Sequence, residues 1–271
     1  MRVGGGWPPG VRSQLTRAVE GVEGWFALDE VLTLFDATLS APEVNGRVDC
    51  VEIGSFKGRS TIAMGTALEV RGCEGVVLAI DPHAGEIYGE SGDARLEAFH
   101  ENISARGLDS RVVQERKLSH EAAPDVEPGT VSVLFIDGSH EYADVLTDIR
   151  DWIPKLADGA LVLLNDPFHR EVAWAIRDGV LRDRRPLRRP RLATNTLVFD
   201  HRPLGAPTLA DRVAALRLRV MLPIGWRLSN LLISLGTTRR RLAFAGPVLV
   251  PVTRAVVHVL VPGVESTHRR G

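Results

Sequence analysis

Along the first 200 residues the apolar positions follow two rhythms. Short apolar-rich stretches of strand length occur at 48–53, 76–80, 111–114, 131–136 and 160–164. Between them, apolar side chains recur every three or four residues, which predicts helices over roughly 58–70, 92–106, 118–123 and 142–156. Val19, Val22, Phe26, Val31, Leu32, Leu34 and Phe35 share that spacing and predict helix over 12–40. Strands alternating with helices imply an α/β fold whose mostly parallel sheet is covered by helices on both faces. A further helix is expected over 170–183. A last strand is expected over 192–199, approached by an arginine- and proline-rich 184–191. Beyond His201 the pattern changes. Residues 209–222 and 226–235 read as two short amphipathic stretches dotted with arginine, and 242–261 is apolar but broken by Pro247 and Pro251.

Composition narrows the class. The chain has 271 residues, 44% apolar and 25% charged, which is ordinary for a soluble globular protein. Cys50 and Cys73 are its two cysteines, with neither a disulfide framework nor zinc spacing, so a reducing cytoplasmic setting is expected. Met1 to Pro9 lacks the apolar run of a secretory leader, and no stretch reaches the roughly 18 uninterrupted apolar residues of a membrane span. Net charge is −1 but unevenly placed: 22 basic and 32 acidic residues over 1–200, against 11 and 2 over 201–271. A near-neutral total and an isolated Arg239-Arg240-Arg241 argue against a nucleic-acid partner. The basic tail leaves two readings open. It is a surface helix touching anionic lipid, or an appendage packed on the acidic core or on a second subunit, and the second is the plainer.

Two junctions carry candidate chemistry. Glu52-Ile53-Gly54-Ser55-Phe56-Lys57-Gly58-Arg59-Ser60-Thr61 reads as strand end, glycine turn and helix start. Its glycine spacing and Arg59 do not fit a nucleoside-triphosphate loop, and Phe56 stands where a dinucleotide fingerprint needs glycine. A ligand without phosphates on this turn fits better. Ile80-Asp81 ends the second strand, where an acid can accept both hydroxyls of a ribose. At the second junction, 131–136 delivers Asp137, Ser139, His140 and Tyr142, and 160–164 delivers Asn165 and Asp166. Two acids at neighbouring strand ends can hold a divalent metal, with a histidine close by as base. The plain alternatives are that Asp137 caps the following helix and that His140 is structural.

The first turn resembles the first motif of class I S-adenosylmethionine (SAM) methyltransferases. Ile136-Asp137-Gly138-Ser139-His140 with Asn165-Asp166 resembles metal-dependent sugar and small-molecule O-methyltransferases, the cephalosporin-hydroxylase-like and macrolide-sugar groups, over about 48–200. The resemblance implies a Rossmann-like, seven-stranded sheet with its last strand reversed. It covers a SAM-binding core (46–202), which leaves an N-terminal helical segment or lid (1–45) and a basic, apolar C-terminal extension, expected to be helical (203–271), outside it. It assigns Glu52, Gly54, Ser55, Gly58, Ser60, Thr61, Asp81, Ser119 and Asp137 to SAM, and Asp137, Asn165 and Asp166 to Mg²⁺. Asn165 stands where the family has an acid. Ser139 stands where the family often has its base, which moves that role to His140. The implied activity is O-methylation of a sugar or glycosylated small molecule, by a chain that is a candidate homo-oligomer. Two rivals remain at this point: a nicotinamide-dependent oxidoreductase, and a non-catalytic binding subunit on the same fold.

Overall fold

The structure is a computed structural model that describes Trp7 and residues 10–183 and 185–238, with backbone only for 232–238. Its centre is a seven-stranded sheet in the order β5-β2-β1-β6-β7-β9-β8. The strands are β1 (Asp49–Ile53), β2 (Val77–Ile80), β5 (Val112–Glu115), β6 (Val131–Ile136), β7 (Leu156–Asn165), β8 (Leu187–Ala193) and β9 (Thr196–His201). A two-stranded hairpin, β3 (Glu86–Ile87) and β4 (Glu90–Ser91), lies outside it. Neighbours run parallel except β9, which is antiparallel to both β7 and β8. All six side chains of β6 are buried, as an inner strand covered on both faces requires.

Helices α1 (Val11–Val19), α2 (Leu28–Ser40), α3 (Arg59–Arg71) and α4 (Gly92–Ser104) share one apolar layer with one face of the sheet. On the other face lie α5 (Ser119–Ala122), α6 (Tyr142–Trp152), α7 (Arg170–Ile176) and α8 (Leu209–Thr238). From β1 the chain winds one way to β2 and β5, then returns to β6 and winds the other way. That reversal opens a crevice at the carboxyl ends of β1 and β6, where α/β folds bind ligands.

Four expectations change. The helix expected over 12–40 is two helices, because Gly21 (φ 74°) and Gly24 (φ 156°) carry the intervening chain through left-handed backbone. The helix expected to reach 156 ends earlier. Pro154 lies in a 3₁₀ turn after α6, and β7 already begins at Leu156. The single strand expected at 192–199 is a hairpin, turned at Thr194 (φ 58°) and Asn195, and its supposed approach is mostly β8. Pro190 is tolerated there because β8 is the edge strand and bulges between Arg188 and Arg191. Finally, 209–222 and 226–235 form one helix through Pro223. Leu218, Met221 and Leu222 bury just before the proline and Gly225 packs on Phe168 just after it. That packing outweighs the roughly 3 kcal/mol a proline costs inside a helix. The expectations for Arg239 to Arg241 and for 242–261 lie outside the described residues.

Candidate active site

A cavity of about 1020 Å³ opens at the carboxyl ends of β1, β2, β6 and β7. Gly54, Ser55, Ser60, Asp81, Ser119, Asp137, His140, Asn165 and Asp166 all line it. The turn after β1 is held against the turn after β6. A Cβ on Gly54 would stand 2.3 Å from the Asp137 carbonyl oxygen, so only glycine permits the approach. Phe56 follows in left-handed backbone (φ 46°), and its amide donates to Asp81 Oδ2 at 2.9 Å. Asp81 Oδ1 accepts from the His83 amide at 2.8 Å, while the buried His83 ring lies 2.9 Å from the Phe56 carbonyl through Nε2. His83 therefore joins the two turns. The Asp81 carboxylate is oriented by amides and retains lone pairs for vicinal hydroxyls. The Ser55 hydroxyl is buried on the cavity wall without a hydrogen-bond partner, as a site awaiting a polar ligand would have it.

Glu52, Gly58 and Thr61 do not line the cavity. Glu52 is fully buried behind the turn, and Thr61 donates to its Oε2 at 2.5 Å. A Cβ on Gly58 would meet the Phe99 ring, so this glycine serves packing. Burial pushes the Glu52 carboxyl up to about 7 despite the Ser60 and Thr61 hydroxyls. A folded-state value above the unfolded one means a contribution complete below the ordinary carboxylate range and lost as pH rises through about 7. Glu52→Gln is therefore expected to flatten the decline in stability between about pH 5 and pH 8 by roughly 3 kcal/mol. Urea midpoints across that range measure it, and an unchanged slope would exonerate Glu52.

Ser119 is held from below. Its hydroxyl donates to Asp148 of α6, whose buried carboxyl is pushed up to about 6 by desolvation. Asp148 also lines the cavity, and its bond fixes the Ser119 rotamer.

At the far end the two strand ends meet. One oxygen of Asp137, one of Asp166 and one ring nitrogen of His140 lie within 4.8 Å of one another. His140 Nε2 stands 2.9 Å from Asp166 Oδ2, and this bond raises the imidazole above its ordinary value. Burial, then the Asp166 charge, pushes the Asp137 carboxyl up to about 8. Such mutual repulsion is what a bound cation would relieve. Asn165 behaves differently from its expected role. Its amide nitrogen donates to Asp137 Oδ1 at 3.0 Å, and its oxygen accepts from Thr196 Oγ1 at 3.0 Å. In this orientation it bridges the acids as a donor and is not a ligand. A half-turn of the amide would present the oxygen and leave its NH₂ on the Thr196 hydroxyl, which also accepts. Asn195 donates to Asp166 Oδ1, and Ser139 Oγ accepts from the Glu141 amide at 3.1 Å.

One lining residue, Glu30, had no sequence signal as a site group. Glu30 of α2 is 6% exposed, caps its own helix by accepting from the Ala27 amide at 2.7 Å, and is pushed up to about 7 by burial and the nearby Asp166 charge. The Glu at the third helical position signals a cap but not a cavity wall. Trp25, 66% exposed, packs at the mouth on Phe56 (4.8 Å) and Tyr88 (5.6 Å). Trp7 packs into the core on Phe35, while Phe26 packs on Phe135 and also lines the cavity.

Residues 51–167 match the methyltransferase domain family. The uncharacterized protein y4gI of Sinorhizobium fredii (strain NBRC 101917 / NGR234) is 38% identical over 96 residues, 35% of this chain and 10% of that protein. The chain thus spans about a tenth of that relative's length. Among solved structures, the O-methyltransferase NovP superposes with a TM-score of 0.54 at 16% identity, over 65% of this chain and 81% of NovP. A Corynebacterium glutamicum protein gives 0.55 at 14%, over 75% and 94%. At such identities the likeness is one of fold. The matched stretch runs from β1 through β7 and holds most of the turns that line the cavity, so this part of the chain is similar to a methyltransferase domain.

Proposed function

We propose that the protein methylates a hydroxyl oxygen, on a sugar or glycosylated small molecule, with SAM as donor and a divalent cation, Mg²⁺ first, at Asp137 and Asp166. The observation that carries this reading is the convergence of Asp137, His140 and Asp166 on the cavity that the β1 turn also lines. SAM supplies a methyl carbon activated by a sulfonium. In the reaction the acceptor oxygen forms a C–O bond as the C–S bond breaks, and the hydroxyl proton must leave. His140 takes it: Asp166 holds the ring through Nε2, which leaves Nδ1 for the proton. A cation on the two acids would lower the acidity barrier of that hydroxyl and align it. Gly54 and Ser55 present the turn to the donor, Asp81 takes its ribose and Ser119 its adenine.

The segment between α1 and α2 acts as the lid. Lys57, nearly buried beside the β1 turn, pairs with Glu23 at 2.6 Å and with Glu90 of β4 at 2.7 Å, tying both mouth-closing segments to one cation. Glu30, on the helix that follows, accepts a hydrogen bond from the acceptor. Glu30→Gln retains the cap on Ala27, since glutamine accepts as well as glutamate, but removes the charge. It is expected to lower kcat/KM for the acceptor about tenfold (~1.4 kcal/mol) with SAM affinity unchanged. Equal kcat/KM in the variant would return Glu30 to a purely capping role.

The test of the reading is mass spectrometry of hydroxylated sugars and glycosides incubated with the protein and labelled SAM, with and without Mg²⁺. A labelled methyl group on one acceptor, gained faster with the cation, is expected. No transfer to any of them, together with no calorimetric SAM binding in either condition, would remove the enzyme reading.

A further inference from the structure

The outer face of α8 takes no part in the site. Its inner face is committed: Leu218 and Leu222 bury in the sheet's second layer, and Met221 packs on Phe168 and Leu192. Arg219 donates to the Leu181 carbonyl at 2.6 Å, and Trp226 meets Trp174 edge-on at 6.4 Å. On the opposite side, Leu209, Val213, Leu216 and Val220 recur at intervals of four, three and four. They are 78%, 39%, 62% and 53% exposed. At 3.6 residues per turn these four make one continuous apolar stripe. Arg212 and Arg217 fall on its two borders, and Arg227 continues it two turns beyond Val220. The one acid in α8, Asp211, is occupied by the Thr208 hydroxyl at 2.7 Å.

We infer that this outer face docks on a membrane surface containing anionic lipid, with the stripe among the acyl chains and the arginines on the headgroup phosphates. Charge decides between the occupants. A second copy placed on the stripe by two-fold symmetry would set arginine borders against arginine borders, whereas an anionic headgroup layer complements them. The same asymmetry runs through the molecule. Residues 201–271 carry 11 basic side chains against 2 acidic, and residues 1–200 carry 22 against 32, so the acidic body is repelled while α8 is drawn in. The helix lies on the surface and does not cross it: among the described residues no helix is long and apolar enough to span a membrane. Docking there also bears on the acceptor end of the cavity, because Phe168, under Met221 and Gly225, sits two residues after Asp166.

Co-sedimentation of the full chain with vesicles tests this, using phosphatidylcholine alone and phosphatidylcholine with about 30% phosphatidylglycerol. Pelleting with the anionic vesicles only, weakened by added salt, is expected. Leu216→Glu should reduce that binding at least tenfold at an unchanged melting temperature, since the side chain is exposed, and Arg212→Glu should weaken it without a change in fold. Three results would each overturn the inference. One is no pelleting with either vesicle. Another is binding by Leu216→Glu equal to that of the native chain, which would place the contact elsewhere. The third is a solution dimer that Leu216→Glu dissociates, which would assign the stripe to a second copy.

Discussion

Asp137→Ala is expected to abolish cation-stimulated methyl transfer, with kcat/KM down by about a thousandfold or more (~4 kcal/mol). SAM affinity should change little. Asp137 and Asp166 are the two carboxylates of the cluster, and removing one leaves a lone acid already engaged by Asn195 and His140. The variant should nevertheless fold, and its stability should hold or rise. Asp137 is a carboxyl pushed up to about 8 by burial and by Asp166, so its ionised form is a strained guest in the free protein. Loss of activity with retained or improved stability is the signature of a group kept for function. Chelator-resistant activity in the native protein, or an Asp137→Ala variant that still responds to Mg²⁺, would take the cation out of the reaction. Turnover with and without chelator, beside urea unfolding of both proteins, supplies both readouts.

Gly54→Ala is expected to lower the melting temperature by about 10 °C or more, or to prevent accumulation of folded protein. Two costs coincide. The residue sits at φ 90°, where an L side chain is strained. Its Cβ would also stand 2.3 Å from the Asp137 carbonyl oxygen and 2.7 Å from the Gly138 Cα, both backbone atoms that cannot swing aside. Gly58→Ala is the comparison. It has a similar φ of 88°, but its Cβ would meet the Phe99 side chain at 3.2 Å, which can give by a few tenths of an ångström. It should cost only about 1–2 kcal/mol. Thermal melts of the two variants decide the matter: equal, small losses would mean that the β1 and β6 turns are not held in the close contact described.

Much of this site was legible because its residues are punctuation marks in a repetitive chain. Gly54, Asp81, Asp137, Asn165 and Asp166 each stand just past an apolar run, and each lines the cavity. Glu52 and Thr61 belong to the same motif but bond to each other behind the wall, a difference of depth that motif spacing does not encode. Asn165 was readable as a departure from an acid. That its amide would turn its nitrogen to Asp137 depended on Thr196, a residue of the reversed strand β9. Where element boundaries went astray, short-range backbone geometry had beaten apolar spacing, at Gly21 and Gly24, at Pro154 and at the Thr194 turn. Pro223 was the opposite case, a local breaker overruled by burial on both sides.

The sequence by itself determined the class of fold and the strand ends that bear the chemistry, because a doubly covered parallel sheet demands apolar runs of strand length and must return through amphipathic helices. It also pointed to a ligand without phosphates at the first turn, since Phe56 leaves no second glycine for a pyrophosphate. Only the tertiary structure decided which groups share a field. Glu30 comes from α2 to join Asp137 and Asp166, and Asp148 comes from α6 to hold Ser119. Those meetings follow from how the helices pack on the sheet and on one another, and long-range packing distances are not written in the spacing of any one segment.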